Sequence, residues 1–159
     1  MTQTASGHYA PTLDELYVAT NSRTESHHLV QTVLLHDNRN PIHPQVIADL
    51  LDPGTEVGLY RGRDIKKALE SFGAPNVYVI GYFGPREEND SADLDRRIET
   101  VRLVKELPSP PQVVSIQKHR NGTKTFNDAG ADAYVDWLTY FRGEFDPLIE
   151  AIKAQLRGQ

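Results

Sequence analysis

Beyond Leu29, the chain alternates short apolar runs with segments in which apolar residues recur every three or four positions. The short runs are rich in Val, Ile and Leu, which is typical of buried strands, and the longer spacing is typical of amphipathic helices. The predicted strands are Leu29–Leu35, Glu56–Tyr60, Val77–Ile80, Gln112–Ile116 and Ala133–Val135.

Helical signals fill most of the gaps between these strands. Pro44 suits a first helical position, Gly73 suits the residue after a helix, and the pair Asp146-Pro147 suits a helix start. The apolar stripes of the predicted helices are Val46, Ile47, Leu50 and Leu51; Ile65, Ala68, Leu69 and Phe72; Leu94, Ile98, Val101, Val104 and Leu107; and Ile149, Ile152 and Leu156.

This order of elements predicts an α/β fold in which a parallel sheet is covered on both faces by helices. Right-handed crossovers restrict the topology to a doubly wound sheet. We therefore expect residues 29–159 to form a single domain. Residues 1–28 are polar and weakly patterned, which predicts a flexible tail, and only Leu13–Val18 within it has enough apolar content to dock.

Composition narrows the class of protein. The chain has 159 residues, a net charge of −5 and no cysteine, so disulfides, thiolate metal sites and cysteine nucleophiles are excluded. The lack of a basic run argues against nucleic-acid binding. No apolar stretch approaches the roughly 20 residues that span a bilayer, so we expect no membrane insertion and a cytoplasmic location.

The chain has no Gly-x-Gly-x-x-Gly and no Gly-x-x-x-x-Gly-Lys, so it lacks the usual backbone cradles for nucleotide phosphates. It also has no Gly-x-Ser-x-Gly, which argues against an α/β-hydrolase. Five carboxylates follow the third predicted strand and could form either a hard-cation site or a solvated loop. The absence of calcium-loop spacing favours the loop. These carboxylates are Glu87, Glu88, Asp90, Asp93 and Asp95.

Two histidines, His36 and His119, follow predicted strands and should lie near the carboxyl edge of the sheet. Metal binding or acid–base chemistry is conceivable there. However, the third strand should separate the two side chains, which favours ordinary polar loop residues. His27 and His28 lie in or beside the tail without a partner at metal-binding spacing.

Three segments carry a resemblance to a known family: "RGRDIKKALESF", "VYVIGYFGP" and "AGADAYVDW". From about Val30 to Leu156, the chain resembles the receiver domain of bacterial response regulators. The resemblance implies a flavodoxin-like fold with a five-stranded parallel sheet in the strand order 2-1-3-4-5. In that family, the third strand ends in an Asp that accepts a phosphoryl group, and a Pro follows four residues later, as Pro85 follows Gly81 here.

The resemblance also implies that this phosphorylation site is degenerate. Gly81 replaces the acceptor Asp, Trp137 replaces a Lys that contacts the phosphoryl group, and Gln117 stands where the family has Ser or Thr. Asp37 alone remains of the acidic residues that hold Mg²⁺, and Tyr134 matches the aromatic residue that responds to phosphorylation. We therefore expect a pseudo-receiver with no catalytic residues, no metal site and no cofactor.

The implied function is phosphorylation-independent signalling or scaffolding through a protein partner or a homodimer. The expected surface consists of the family's helix four, strand five and helix five, which form its usual output face. In this chain they would be a short helix in the polar stretch after Ile116, the strand Ala133–Val135 and the helix that starts at Asp146-Pro147. Trp137, Tyr140 and Phe141 lie near it and could form an interface or part of the core. The alternative is a small-molecule or nucleotide-binding protein, or an enzyme, whose crevice would be lined by Tyr82, Phe83, His36 and His119.

A last hypothesis joins Gly81 to Trp137. Because one position has lost its side chain and the other has gained the largest one, we expect Trp137 to fill or cover part of the space above Gly81. An indole buried there should cost roughly 3–5 kcal/mol on truncation to Ala.

Overall fold

The computed structural model of the protein describes residues 15–21, 31–83, 90–118 and 123–158, with the side chains of residues 90, 91, 123 and 124 left aside. The described strands follow the apolar runs of the sequence, because these side chains can be buried on both faces of a sheet. They are β1 (Glu15–Thr20), β2 (Gln31–His36), β3 (Thr55–Arg61), β4 (Val77–Ile80), β5 (Gln112–Gln117) and β6 (Ala133–Asp136).

The helices lie between the strands, as the spacing of apolar residues predicts. At α2, Asp64 accepts a hydrogen bond from the backbone of Lys66, and Gly73 ends the helix with a φ of 92°. Among the described residues, no helix is long and apolar enough to cross a membrane. The helices are α1 (Pro44–Leu50), α2 (Ile65–Phe72), α3 (Asp90–Lys105), α4 (Thr123–Ala129), α5 (Trp137–Phe141) and α6 (Asp146–Arg157).

The strands form one mixed sheet of six strands in the order β1-β3-β2-β4-β5-β6. All neighbouring pairs from β3 to β6 are parallel, and β1 is antiparallel to β3. The α/β fold is confirmed, but the expected five-stranded, wholly parallel sheet is wrong. The difference is β1, which lies at one edge of the sheet.

Strand β1 lies within the segment that the sequence predicted to be a flexible tail. Residues 15–20 pair with β3 from Glu15 opposite Arg61 to Thr20 opposite Glu56. Ala19 packs against one hydrophobic core and Leu16 against the other, so the strand gains apolar contacts from residues that are distant in sequence. Asn21, also within the predicted tail, is buried, and its side-chain amide donates to Leu51 O at 2.9 Å. The other tail positions lie outside the described residues, as does the start of the predicted first strand at Leu29.

The sheet separates two hydrophobic cores. On β2, Val33 and Leu35 face the core that is covered by α1 and α6. Leu34 faces the other core, which is covered by α2, α3 and α4. Because successive strand residues point to opposite faces, the continuous apolar runs of the sequence supply both cores at once.

Candidate functional site

The loops after β2, β3 and β4 meet at the carboxyl edge of the sheet, where ligand sites of parallel sheets usually lie. Asn38 joins all three loops. Its backbone N–H donates to Tyr82 O at 2.7 Å, and its side-chain amide donates to Gly62 O and Phe83 O. Its side-chain oxygen accepts from the Gly62 N–H at 2.8 Å. One asparagine therefore fixes the shape of this edge.

Beside Asn38, the carboxylate of Asp37 is 1% exposed. Its Oδ1 accepts hydrogen bonds from the backbone N–H groups of Arg39 at 2.8 Å and Asn40 at 2.9 Å. Its Oδ2 accepts from the Asn40 side chain at 2.8 Å and from the Tyr140 hydroxyl at 3.2 Å. Arg61 donates to the carbonyl oxygens of Asp37 and Asn40 and holds the same loop. The acid is therefore integrated into its own loop.

This carboxylate explains why Gly81 follows β4 without a side chain. A Cβ atom added at Gly81 would lie 2.7 Å from Asp37 Cγ and 3.0 Å from Asp37 Cβ. The backbone N–H of Gly81 also donates to His36 O at 2.8 Å, which holds the two strand ends together. Asp37 and a side chain at position 81 thus compete for one volume.

Burial shifts the ionisation of this group and its neighbours. The pKa of Asp37 is raised mainly by burial, and the hydrogen bonds from Asn40 and Arg39 act in the opposite direction. The pKa of Tyr140 lies well above its usual value because of burial and then the nearby Asp37 charge. Both shifts follow from the cost of a charge away from water.

A second group at this edge centres on Arg97, which projects from α3 and is 3% exposed. Its guanidinium donates to Ile116 O and lies 4.4 Å from the ring centre of Tyr82 and 4.9 Å from that of Phe126. Burial lowers the pKa of Arg97. Arg39 lies against the same Tyr82 ring at 4.6 Å. A buried cation and aromatic rings thus form part of this edge.

Trp137 begins α5 directly after β6 and is half-buried. Its ring stacks on Phe141 with 4.7 Å between ring centres and meets Tyr82 edge-on with 6.4 Å between ring centres. The ammonium of Lys118 lies 5.3 Å from the Trp137 ring centre. The expectation that Trp137 fills the space above Gly81 is wrong, because Asp37 occupies that space. The indole instead packs edge-on with the Tyr82 ring.

The three aromatic residues of the predicted interface separate into different environments. Tyr140 is 4% exposed and belongs to the core, where it also bonds Asp37. Phe141 is 41% exposed, as is Leu138 on the same helix. Only part of this group is therefore available to a partner.

The remaining predicted positions are distributed along β5 and β6. Gln117 is buried and donates to the hydroxyl of Ser115 at 2.9 Å, two residues earlier on the same strand. Tyr134 is half-buried on β6 in register with Ser115. Among the described contacts, none joins Gln117 to Asp37, so the positions that the resemblance assigns to a degenerate phosphorylation site do not all contact one another.

His36 is part of the core. Its Nε2 donates to Gly62 O at 2.9 Å, and its Nδ1 accepts from the Tyr78 hydroxyl at 2.6 Å in the neutral ring. It also stacks on Phe83 at 4.2 Å. A histidine with these partners does not line an open crevice. His27, His28 and His119 lie outside the described residues.

The acidic loop is only partly described. Asp93 is buried, and its Oδ1 accepts from the Phe83 N–H at 3.1 Å, which ties α3 to the end of β4. Within the described ranges, no three His, Asp or Glu side chains cluster in a way that could hold a metal ion. Glu87, Glu88 and the Asp90 side chain lie outside them, so the absence of a metal site stays a prediction.

Sequence reasoning missed Asn38, Asn40 and Arg97. Two signals were available. "DNRN" is a loop sequence in which Asp and Asn side chains commonly bond nearby backbone groups. Arg97 lies three residues after Leu94 and four before Val101, so it falls on the apolar stripe of α3, where a charged residue is unusual.

Comparisons with known proteins leave the family open. Neither the models of known protein families nor the curated proteins contain a match to this chain. Among solved structures, the chain is similar to a crystal structure described as a two-component response regulator of the LuxR family from Aurantimonas sp. SI85-9A1. The TM-score is 0.55 at 22% identity, over 81% of this chain and 86% of that chain.

An identity this low establishes a shared fold and no more. The likeness to a response regulator is therefore confirmed at the level of the α/β fold. The degenerate phosphorylation site and the interaction surface remain interpretations of particular residues.

Proposed function

We propose that this protein is a receiver-like signalling or scaffold protein that acts without phosphorylation, through contacts with another protein. The observation that carries the proposal is the position of Asp37. Its carboxylate occupies the volume that a side chain at Gly81 would need, and Arg39, Asn40 and Tyr140 donate to its oxygens.

The chemistry of phosphoryl transfer supports this proposal. A covalent phosphoryl-enzyme needs a nucleophile, a cation to balance the developing charge, and usually Mg²⁺. Gly81 has no acceptor oxygen, and Asp37 uses both of its oxygens to hold a loop. The tight hydrogen bonding of Asp37 gives this carboxylate a structural role, which is the opposite of an exposed, reactive acid.

Support for a protein partner comes from the surface of α4, β6, α5 and α6. Leu138 and Phe141 are each 41% exposed there, next to the half-buried ring of Trp137. Aromatic residues of this kind often contribute most of the binding energy of an interface. The crevice alternative is less well supported, because His36 and Phe83 are buried against each other.

Phosphorylation is tested with acetyl phosphate, Mg²⁺ and intact-mass spectrometry. We expect no added phosphoryl group. An addition that is stable at neutral pH and lost in mild base would contradict the proposal, and the modified residue would be located by fragmentation.

The interaction surface is tested by affinity capture from the source cells. We expect Phe141→Asp to lose partners that the unchanged protein retains. Val46→Asp is the matched control, because Val46 is 42% exposed on α1, a different surface. Equal loss in both variants would show a general effect of the added charge instead of a specific surface.

A further inference from the structure

Strand β1 forms one edge of the sheet, and its outer side has no neighbouring strand in the part of the chain that the structure describes. An edge strand presents backbone N–H and C=O groups that another strand can bond, and folded proteins usually protect such edges with Pro, Lys, a bulge or a very short strand. β1 has six residues without Pro, Gly or Lys, and its only charged residue is Glu15 at the first position. It pairs with β3 in an unbroken register. The edge therefore lacks these protections.

The side chains of β1 add apolar surface to this open edge. Tyr17 is 47% exposed and Val18 is 51% exposed, and they point to opposite faces of the sheet because they are consecutive strand residues. Leu16, on the same face as Val18, borders a groove of about 400 Å³ that β1 shares with Lys67 and Glu70 of α2. Apolar side chains thus flank the open backbone edge on both faces.

The other edge of the sheet is a poorer partner for β1. Strand β6 has only four residues, ends at Asp136 and continues directly into α5. Contact of β1 with β6 of another copy would also be heterologous, so each added copy would leave one free β1 edge. Pairing of β1 with β1 closes after two copies and covers both β1 edges.

We propose that β1 pairs antiparallel with β1 of a second copy of this chain, about a two-fold axis through Tyr17. An axis perpendicular to the sheet keeps each face on its own side, so residues that oppose each other come from the same face. Tyr17 then lies opposite its equivalent in the second copy, and Leu16 and Val18 lie opposite each other twice. Glu15 lies opposite Ala19, so the two acidic residues are at opposite ends of the paired strands.

This register agrees with the surroundings of β1. It pairs residues 15–19 and leaves Thr20 outside, where the Thr20 carbonyl oxygen accepts a hydrogen bond from the Gln45 side chain. It also brings Val18 of the second copy beside Leu16, at the groove along α2. A register centred on Val18 would instead place Leu16 opposite the polar Thr20. Because only five residues of each copy pair, the interface is small and the dimer should be weak.

The dimer does not depend on the proposed signalling function, because the α5 surface follows β6 at the opposite edge of the sheet. The two can therefore fail separately.

Sedimentation velocity of the full chain tests the dimer at concentrations from about 1 µM to about 1 mM, the range in which small interfaces associate. We expect a monomer at the low end and a dimer at the high end. Val18→Lys should weaken the dimer roughly ten- to a hundred-fold, because each lost apolar pair occurs twice. Its melting temperature at low concentration should change little, since Val18 is exposed. Leu138→Lys is the matched control, because Leu138 is 41% exposed on α5, and its dimer should be unchanged.

Disulfide formation tests the register, because the natural chain has no cysteine. In the proposed dimer, the two copies of residue 17 are directly opposite, at a spacing close to that of a disulfide. Under mild oxidation, we expect Tyr17→Cys to form a covalent dimer much faster than Leu138→Cys.

The proposal is overturned if the protein stays monomeric at every concentration, or if Leu138→Lys weakens the dimer as much as Val18→Lys. The second result would assign the dimer to the α5 surface. Equal rates of disulfide formation in Tyr17→Cys and Leu138→Cys would also overturn it. If Val18→Lys does not fold, the rate for Tyr17→Cys decides the outcome.

Discussion

Asp37 and Trp137 lie at the same edge of the sheet but have opposite environments. The Asp37 carboxylate is buried and accepts hydrogen bonds from three residues. The Trp137 indole is half-buried, and its N–H has no partner among the described residues. The fold satisfies the first polar group with hydrogen bonds and leaves the second, a buried N–H, unsatisfied among the described residues.

The difference shows that the carboxyl edge of the sheet has two parts. Around Asp37 and Gly81, the acid is part of the packing, because it fills the space that a side chain at position 81 would need. Around Tyr82, Arg97 and Trp137, a buried cation lies against aromatic rings, and the Arg97 Nε and Trp137 Nε1 groups have no hydrogen-bond partner among the described residues. The two parts therefore differ in how completely the fold satisfies their buried polar groups.

The largest expected effect is that of Gly81→Asp. The new side chain would collide with Asp37 and bring a second carboxylate into a buried space, so we expect a loss of at least about 3 kcal/mol in the free energy of unfolding. Urea denaturation measures this loss. Acetyl phosphate should still leave the variant unphosphorylated.

Gly158→Ala is the control for Gly81→Asp. A Cβ at Gly158 would meet its nearest atoms at an ordinary 3.6 Å, so the stability should change little. A Gly81→Asp protein as stable as the unchanged protein would mean that Asp37 can leave its loop. The contrast between the two parts of this edge would then disappear.

A smaller effect is expected for Trp137→Ala. A fully buried tryptophan would cost roughly 3–5 kcal/mol, and because this indole is half-buried, we expect about 2 kcal/mol. Chemical denaturation followed by circular dichroism measures the change, since the variant lacks tryptophan fluorescence. Leu138→Ala, on the exposed side of α5, should cost less than about 0.5 kcal/mol. A cost for Trp137→Ala as large as that of a fully buried residue would contradict the half-buried position of the indole.

The smallest expected effect is a pH-dependent change in the free energy of unfolding caused by Asp37→Asn. Burial raises the folded-state pKa of Asp37 above that of the unfolded chain, near 3.9. The folded protein then binds this proton more tightly, so the contribution of Asp37 to stability is full below the unfolded pKa and is lost as pH rises through the folded pKa.

The measured quantity is the difference in unfolding free energy between the unchanged protein and Asp37→Asn from pH 4 to pH 8. We expect this difference to fall with increasing pH, because only the unchanged protein has to bury a charge. A constant or rising difference would show that the hydrogen bonds from Arg39 and Asn40 outweigh the cost of burial.

The sequence by itself determined most of the strands and helices, because apolar runs and the 3.6-residue spacing are local properties. It also identified the unusual residues Gly81 and Trp137, and the resemblance that proved correct for the fold. The sequence did not predict strand β1, because its six residues have moderate apolar content and form a strand through pairing with β3.

Only the tertiary structure decided how the site is built. Position 37 fills the space at position 81, and Tyr140 reaches the same carboxylate from more than a hundred residues away. The pairing of Arg97 with Tyr82 likewise depends on how α3 crosses the edge of the sheet. Local pattern specifies which element a residue joins, but the side chain that it meets depends on the packing of elements that are remote in sequence.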